Sequence, residues 1–229
     1  MSDEAQVLYE EDGAIALITL NRPEKLNAIS LAMLTRLDAL AASLEASPTV
    51  RVVLITGAGG RSFCVGADIN EWDAVAGGDP IAMWRAWDRP GHRIFERIAR
   101  LQQPVIAAVN GFCFGGGLEL ALAADIRLAA AEAQFALPET KIGTQPGWTG
   151  TQRLPRAIGA SRAKQMIFTG ARIGAEQAER WGLVNEVMPA EGLLPRAREL
   201  AGQIAANAPL AVQFAKTIVD AGQGEGAAM

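Results

Sequence analysis

Three short apolar runs constrain this chain more than any other feature. Residues 14–20 read Ala-Ile-Ala-Leu-Ile-Thr-Leu between Asp12-Gly13 and Asn21-Arg22-Pro23. Residues 52–56 are a β-branched run ending on Gly57-Ala58-Gly59-Gly60, and residues 105–109 are entered by Pro104 and left through Asn110-Gly111. Runs this short, bounded by turn residues, are buried strands. Between the first two, Ser30 stands at the cap of a helix in which Leu34, Leu37, Leu40, Ala41 and Leu44 recur at three- and four-residue spacing, with Arg36, Asp38 and Glu45 between them. That spacing gives a helix one buried face. Strand, helix, strand, helix, strand is an α/β pattern. Residues 126–128 are a further short strand candidate, residues 138–153 read as a loop leading into helix over 161–168, and the last third reads as mostly helical.

With 229 residues, half of them hydrophobic, the chain can bury a sizeable core as one main globular domain. A net charge of −4 offers nucleic acid no long-range attraction, so an anionic ligand needs locally placed Lys or Arg. No apolar run approaches the roughly 18 residues of a membrane span, and the opening Met-Ser-Asp-Glu-Ala-Gln is acidic where a secretory signal is basic. The expectation is a cytoplasmic protein that meets neither membrane nor nucleic acid. Cys64 and Cys113, the two cysteines, are flanked by apolar residues and read as buried reduced thiols. His92, the one histidine, lies in Arg89-Pro90-Gly91-His92-Arg93 and reads as a solvated helix residue. Without further His or Cys at ligand spacing there is no zinc site, and no metal is expected. Acid/base work therefore falls to carboxylates, Lys or Tyr9. The glycines at 57, 59 and 60 follow a strand, but the chain continues Arg-Ser-Phe-Cys-Val-Gly without the third fingerprint glycine, which argues against a dinucleotide site.

Glu119 follows the glycine run Gly115-Gly116-Gly117-Leu118, and Glu139 stands twenty residues later in Leu137-Pro138-Glu139-Thr140. A glycine run opening a helix presents backbone N–H groups that can stabilise negative charge on an oxygen. Two carboxylates beside such a site can move protons around a polarised carbonyl. The plainer alternatives are a first-turn acid favoured by the helix dipole for Glu119 and a surface turn residue for Glu139.

Four segments together resemble the enoyl-CoA hydratase/isomerase (crotonase) superfamily. They are Leu20-Asn21-Arg22-Pro23-Glu24-Lys25-Leu26-Asn27-Ala28, Ser62-Phe63-Cys64-Val65-Gly66-Ala67-Asp68-Ile69, Val109-Asn110-Gly111-Phe112-Cys113-Phe114-Gly115-Gly116-Gly117-Leu118-Glu119-Leu120, and Pro138-Glu139 leading to Gly150-Thr151-Gln152-Arg153-Leu154. Each is weak alone; their order and spacing make the resemblance strong. It implies an α/β spiral of ββα units over residues 1–195, with residues 196–229 beginning a C-terminal helical trimerisation region that reads as shortened. It implies an acyl-CoA thioester substrate whose carbonyl is held by the N–H groups of Ala67 and Gly116. Coenzyme A is then part of the substrate, and no separate cofactor is expected.

By the same resemblance, the chain is most like an enoyl-CoA hydratase, a hydro-lyase, with Glu119 orienting and activating water and Glu139 exchanging the proton at Cα. Lys25, Leu26 and Ala28 would lie along the pantetheine or nucleotide of CoA, Asp68, Ile69 and Asn70 near the adenine, and Arg22 with Lys25 would meet the phosphates. Trp148 departs from the small residues usual after the Pro146-Gly147 turn. Its indole either crowds the acyl pocket or faces the core. Trp72, Trp84 and Trp87 form either an aromatic wall over the ligand or an ordinary helix anchor. A homotrimer or dimer of trimers is the implied assembly. Enoyl-CoA isomerase or another acyl-CoA-transforming activity is the alternative, and an RNA-binding member with vestigial catalysis the remote one.

Overall fold

The structure, a computed structural model, describes residues 6–224. In chain order, β1 (Val7–Asp12) and β2 (Ile15–Leu20) form a hairpin, and a 3-10 turn (Pro23–Lys25) leads to α1 (Leu31–Glu45). Next come β3 (Val52–Gly57), β4 (Ser62–Cys64), α2 (Ile69–Ala76), α3 (Pro80–Met83), a π-helical turn (Trp84–Asp88) and α4 (Arg89–Ala99). Then follow β5 (Val105–Val109), β6 (Phe112–Phe114), α5 (Gly116–Ala123), β7 (Ile126–Ala130), β8 (Gln134–Ala136) and a 3-10 turn (Glu139–Ile142). The remainder is α6 (Gly150–Ile158), α7 (Ala160–Thr169), β9 (Ile173–Gly174), α8 (Ala175–Trp181), β10 (Glu186–Met188), α9 (Ala190–Ala205) and α10 (Pro209–Gly224).

The strands make two sheets, ordered β1-β2-β3-β5-β7-β10 and β4-β6-β8-β9. All neighbours are parallel except β1 with β2 and β8 with β9. Each of β3, β5 and β7 hands the chain on to a three-residue strand of the second sheet, so the chain steps through both sheets together. This is the spiral of ββα units that the resemblance implied.

The long strands read as unbroken apolar runs because both faces of their sheet are covered. Val53 and Ile55 point into the core shared with α1, α4 and α5, while Val52 and Leu54 point into a second core closed by Leu193, Ala197 and Ala201 of α9. The predicted cap on α1 forms: Ser30 Oγ accepts the Met33 N–H at 3.0 Å, and Leu34, Leu37, Leu40, Ala41 and Leu44 are all buried. Helix α5 lies directly on β4. A Cβ on Gly117 would stand 2.1 Å from the Cys64 carbonyl oxygen, so only glycine allows this approach. Cys64 and Cys113 are buried free thiols, and His92 is exposed on α4. Among the described residues, no helix is long and apolar enough to cross a membrane.

Two differences from the sequence reading bear on how the chain reaches the site. Strands β4, β6 and β8 are three residues each, too short for any periodicity to announce them. Helix α6 starts at Gly150, inside the segment read as loop, and Thr149 makes no side-chain cap bond to it.

Candidate active site

The site is built where β4 and β6 run out. Beyond β4, Ile29 N–H donates to the Gly66 carbonyl and Asp68 N–H to the Ile29 carbonyl, both at 2.8 Å. In this parallel bridge between Ile29 and Ala67, the Ala67 N–H points away from Ile29. Beyond β6, Gly115 turns with φ 52° and ψ −129° and Gly116 opens α5, leaving its N–H without an intrahelical acceptor. A Cβ on Gly66 would lie 3.3 Å from the Gly116 nitrogen, so the two segments run side by side. Among the described residues neither N–H is bonded to a backbone carbonyl. Two such groups, backed by the positive end of α5, suit an oxygen that gains negative charge.

Glu119, one turn into α5, is 2% exposed. Its Oε1 accepts the Trp148 N–H at 2.8 Å and the Gly150 N–H at 2.7 Å. N–H groups two residues apart converge on one oxygen when the residue between them is left-handed, making a small anion-binding nest. Thr149 is that residue, with φ 98° and ψ −6°; for a β-branched side chain this costs on the order of 1–3 kcal/mol. Burial pushes the Glu119 carboxyl up to about 8; the charges of Glu139 and Asp88 push the same way, while the two N–H bonds oppose them.

Glu139 opens the 3-10 turn after β8 and reaches back to the glycine run, its Oε1 3.2 Å from where a Gly115 Cβ would stand. Its Oε2 is buried without a hydrogen-bond partner, and burial raises the carboxyl to about 7. An orphaned acceptor beside a backbone hole is what a proton donor or acceptor for a bound substrate requires. The charge of Glu139 adds to burial in raising Glu119, which couples the titration of the two acids.

Trp148 is 3% exposed. Its ring stacks with Trp87 at 6.0 Å and meets Phe95 edge-on at 5.2 Å. Of the two placements open from the sequence, the indole takes the core, although its Cζ3 lies 2.6 Å from the ideal Cβ position of Gly116. It therefore backs the N–H hole. The three tryptophans of the suggested wall separate: Trp87 is buried, Trp72 half-buried and Trp84 exposed.

The remaining expected contacts divide. Lys25, Ile69 and Asn70 are exposed, Leu26 is half-buried, and Ala28 and Asp68 are buried. Segment 25–29 runs beside the hole through the Ile29–Ala67 bridge. Arg22 does not reach outward as expected. Its Nη1 donates to the Ala28 carbonyl at 2.7 Å and its Nη2 to Asp68 Oδ2 at 2.9 Å. The guanidinium is thus committed to a part-buried ion pair because Asp68, which also caps α2 through the Asn70 N–H, needs a counter-charge.

Three residues escaped the sequence reading. Asn27, buried at φ 57°, ties its loop to the Ala58 and Ser62 carbonyls; an Asn beside a turn was the available signal. Thr149 and Asp88 gave none, since a left-handed threonine and a carboxylate facing Gly147 follow from no local propensity. An open concavity of about 550 Å³, lined by Asp38, His92, Arg93, Glu96, Arg97 and Arg100, lies on the outer side of α4. It is crossed by the Arg97 pairs to Asp38 and Glu45, contains neither Glu119 nor Glu139, and is not the candidate site. Among the described residues no His, Cys, Asp or Glu cluster is gathered for a metal ion.

Residues 10–226 match the enoyl-CoA hydratase/isomerase family. The chain belongs to that family. It is 42% identical over 216 residues to the short-chain-enoyl-CoA hydratase of Clostridium acetobutylicum, covering 94% of this chain and 81% of that protein. It is 38% identical over 216 residues to the crotonyl-CoA hydratase of Syntrophomonas wolfei, covering 94% and 82%. Its structure is similar to that of an enoyl-CoA hydratase from Bacillus anthracis, with TM-score 0.91 and 41% identity over 96% of this chain and 84% of that one. The family match runs through the N–H hole and both glutamates.

Proposed function

We propose that this family member is an enoyl-CoA hydratase, adding water across the 2,3 double bond of a 2-enoyl-CoA to give 3-hydroxyacyl-CoA. The observation that carries the reading is the buried Glu119–Glu139 pair beside two unengaged backbone N–H groups. The thioester oxygen lies between the N–H groups of Ala67 and Gly116, which stabilise it as charge builds up during addition. Glu119 takes a proton from water as its oxygen bonds to Cβ, and Glu139 delivers a proton to Cα. Between about pH 7 and about pH 8 the pair holds one proton, mainly on Glu119, the more strongly raised of the two. Addition proceeds from the minor form in which that proton has passed to Glu139 and Glu119 is ionised.

In this reading the CoA moiety passes Lys25, Leu26 and Ala28 with its adenine near Asp68, Ile69 and Asn70. The exposure of Lys25, Ile69 and Asn70 and the bridge of segment 25–29 to the hole support that path. Because the Asp68 carboxylate is held by Arg22, Asp68 contributes there through its backbone. A homotrimer or dimer of trimers is the proposed assembly, supported by the exposed Leu210, Phe214, Ile218 and Val219 on α10.

The test is loss of enoyl-thioester absorbance with crotonyl-CoA, with mass confirmation of the hydroxyacyl product, in wild type, Glu119→Gln and Glu139→Gln. Hydration that falls by several orders of magnitude in both variants supports the assignment. Conversion of a 3-enoyl-CoA without any hydration of crotonyl-CoA would assign the site to isomerisation instead.

A further inference from the structure

We propose that Thr149 is a positioning residue: clamped in a left-handed conformation by Arg153 and Glu96, it aims the Trp148 and Gly150 N–H groups at Glu119. The inference rests on the reading of Glu119 as an acid/base group, and three observations lead to it. Among described residues with side chains, Leu26, Asn27 and Thr149 have positive φ, at 52°, 57° and 98°. The first two lie in the ordinary left-handed basin; Thr149, which is β-branched and 2% exposed, lies well beyond it.

Its side chain is also diverted from the usual work of a residue preceding a helix. Thr149 makes no cap bond to α6. Instead its Oγ1 accepts Arg153 Nε at 3.1 Å, and Arg153 Nη2 donates to Glu96 Oε1 on α4 at 2.7 Å. The Thr149 carbonyl simultaneously accepts the N–H groups of Gln152 and Arg153. Helix α4 holds the preceding residue too, since the Trp148 ring packs on Phe95 and closes on Gly91.

The third observation is the outcome of this clamp: both N–H groups flanking Thr149 meet the same carboxylate oxygen. Glycine would take this backbone conformation freely and leave it as freely. Threonine adopts it under strain and is kept there by a hydroxyl anchored to a neighbouring helix. Hydrogen bonds to the ionised form oppose the effects of burial, Glu139 and Asp88 on Glu119. Release of the clamp therefore raises the pH at which Glu119 ionises.

The experiment follows the infrared carboxylic C=O band that disappears in Glu119→Gln, titrated with pH in the full chain, alongside the pH dependence of kcat and KM for crotonyl-CoA. Thr149→Val keeps the shape and removes the hydroxyl acceptor. It should raise the Glu119 titration by about one pH unit and lower kcat about 10- to 100-fold with KM nearly unchanged. Thr149→Ser should titrate as wild type, and Thr149→Gly, which adopts the conformation without strain but is not held in it, should fall between wild type and the valine variant. Arg153→Lys, which keeps the charge but lacks the Nε donor, should shift with the valine variant and serves if that variant does not fold.

A wild-type titration in both Thr149→Val and Arg153→Lys overturns the proposal, and so does a glycine variant shifted as far as valine. A wild type that hydrates nothing, yet whose Glu119 band follows the variants as described, overturns the hydratase reading and leaves the clamp standing.

Discussion

Replacing Glu119 by Gln should stabilise the protein at alkaline pH while abolishing its chemistry. The carboxyl is 2% exposed and its titration is raised from 4.5 to about 8, chiefly by burial. Between those values the native chain holds a proton that the unfolded chain has released, so raising the pH favours unfolding. At about 1.4 kcal/mol per pH unit, full ionisation costs the native state about 5 kcal/mol when the carboxyl moves from 4.5 to about 8. At pH 5 the cost is under about 1 kcal/mol, because the buried group is still protonated. Glutamine keeps an oxygen for the Trp148 and Gly150 N–H groups and carries no charge. The gain of the variant over wild type should thus be larger at pH 8.5 than at pH 5 by about 4 kcal/mol. In a chain of this size that is on the order of 10 °C in Tm. Thermal unfolding of both proteins at both pH values and one protein concentration measures it. An equal Tm difference at pH 5 and pH 8.5 would refute the claim that Glu119 ionises in a buried site.

The coupled pair, with values of about 7 and about 8 in the free protein, should give a bell-shaped kcat/KM profile. The rate falls below about 7 as a second proton binds and above about 8 as the last one leaves. Gly117→Ala sets a methyl 2.1 Å from the Cys64 carbonyl oxygen. Backbone cannot yield like a flexible side chain, so a loss of at least about 3 kcal/mol is expected, seen as insoluble expression or a collapsed Tm. Asp68→Asn leaves half-buried Arg22 without its counter-charge and should cost about 1–3 kcal/mol in urea unfolding at pH 7, less than a fully buried pair. Burial raises the Asp68 carboxyl, but the Arg22 bond and charge and the Asn70 N–H outweigh it and the net direction is down. The pair's contribution is therefore complete above the ordinary Asp value and disappears as pH falls through the lowered one. Cys64, pushed up by burial to about 12, and Cys113, raised well above the ordinary thiol value, should ignore a thiol reagent until the chain unfolds. Prompt labelling of the native protein would contradict their burial.

What was legible in the chain was whatever short-range pattern encodes. The runs that became β2, β3 and β5 could be read because a sheet covered on both faces demands unbroken apolar strands. The Ser30 cap and the Leu34-to-Leu44 stripe announced α1 because both repeat within one or two turns. The motif segments pointed to the glycine run and to Glu119 and Glu139. Periodicity was silent on β4, β6 and β8, three residues each, although these strands carry the chain to the site.

The sequence by itself determined the sheet's long strands, the capped helix, the family's motifs and which two carboxylates to watch. Only the tertiary structure decided that Arg22 turns inward to Asp68, that Trp148 enters the core behind Gly116, and that Thr149 is bent to serve Glu119. The reason is range. Helix caps and strand runs are settled among near neighbours along the chain, whereas the proton affinity of Glu119 is set by desolvation, by the Glu139 and Asp88 charges and by two N–H groups about thirty residues away. Those surroundings exist only once the α4, α5 and α6 segments have packed together.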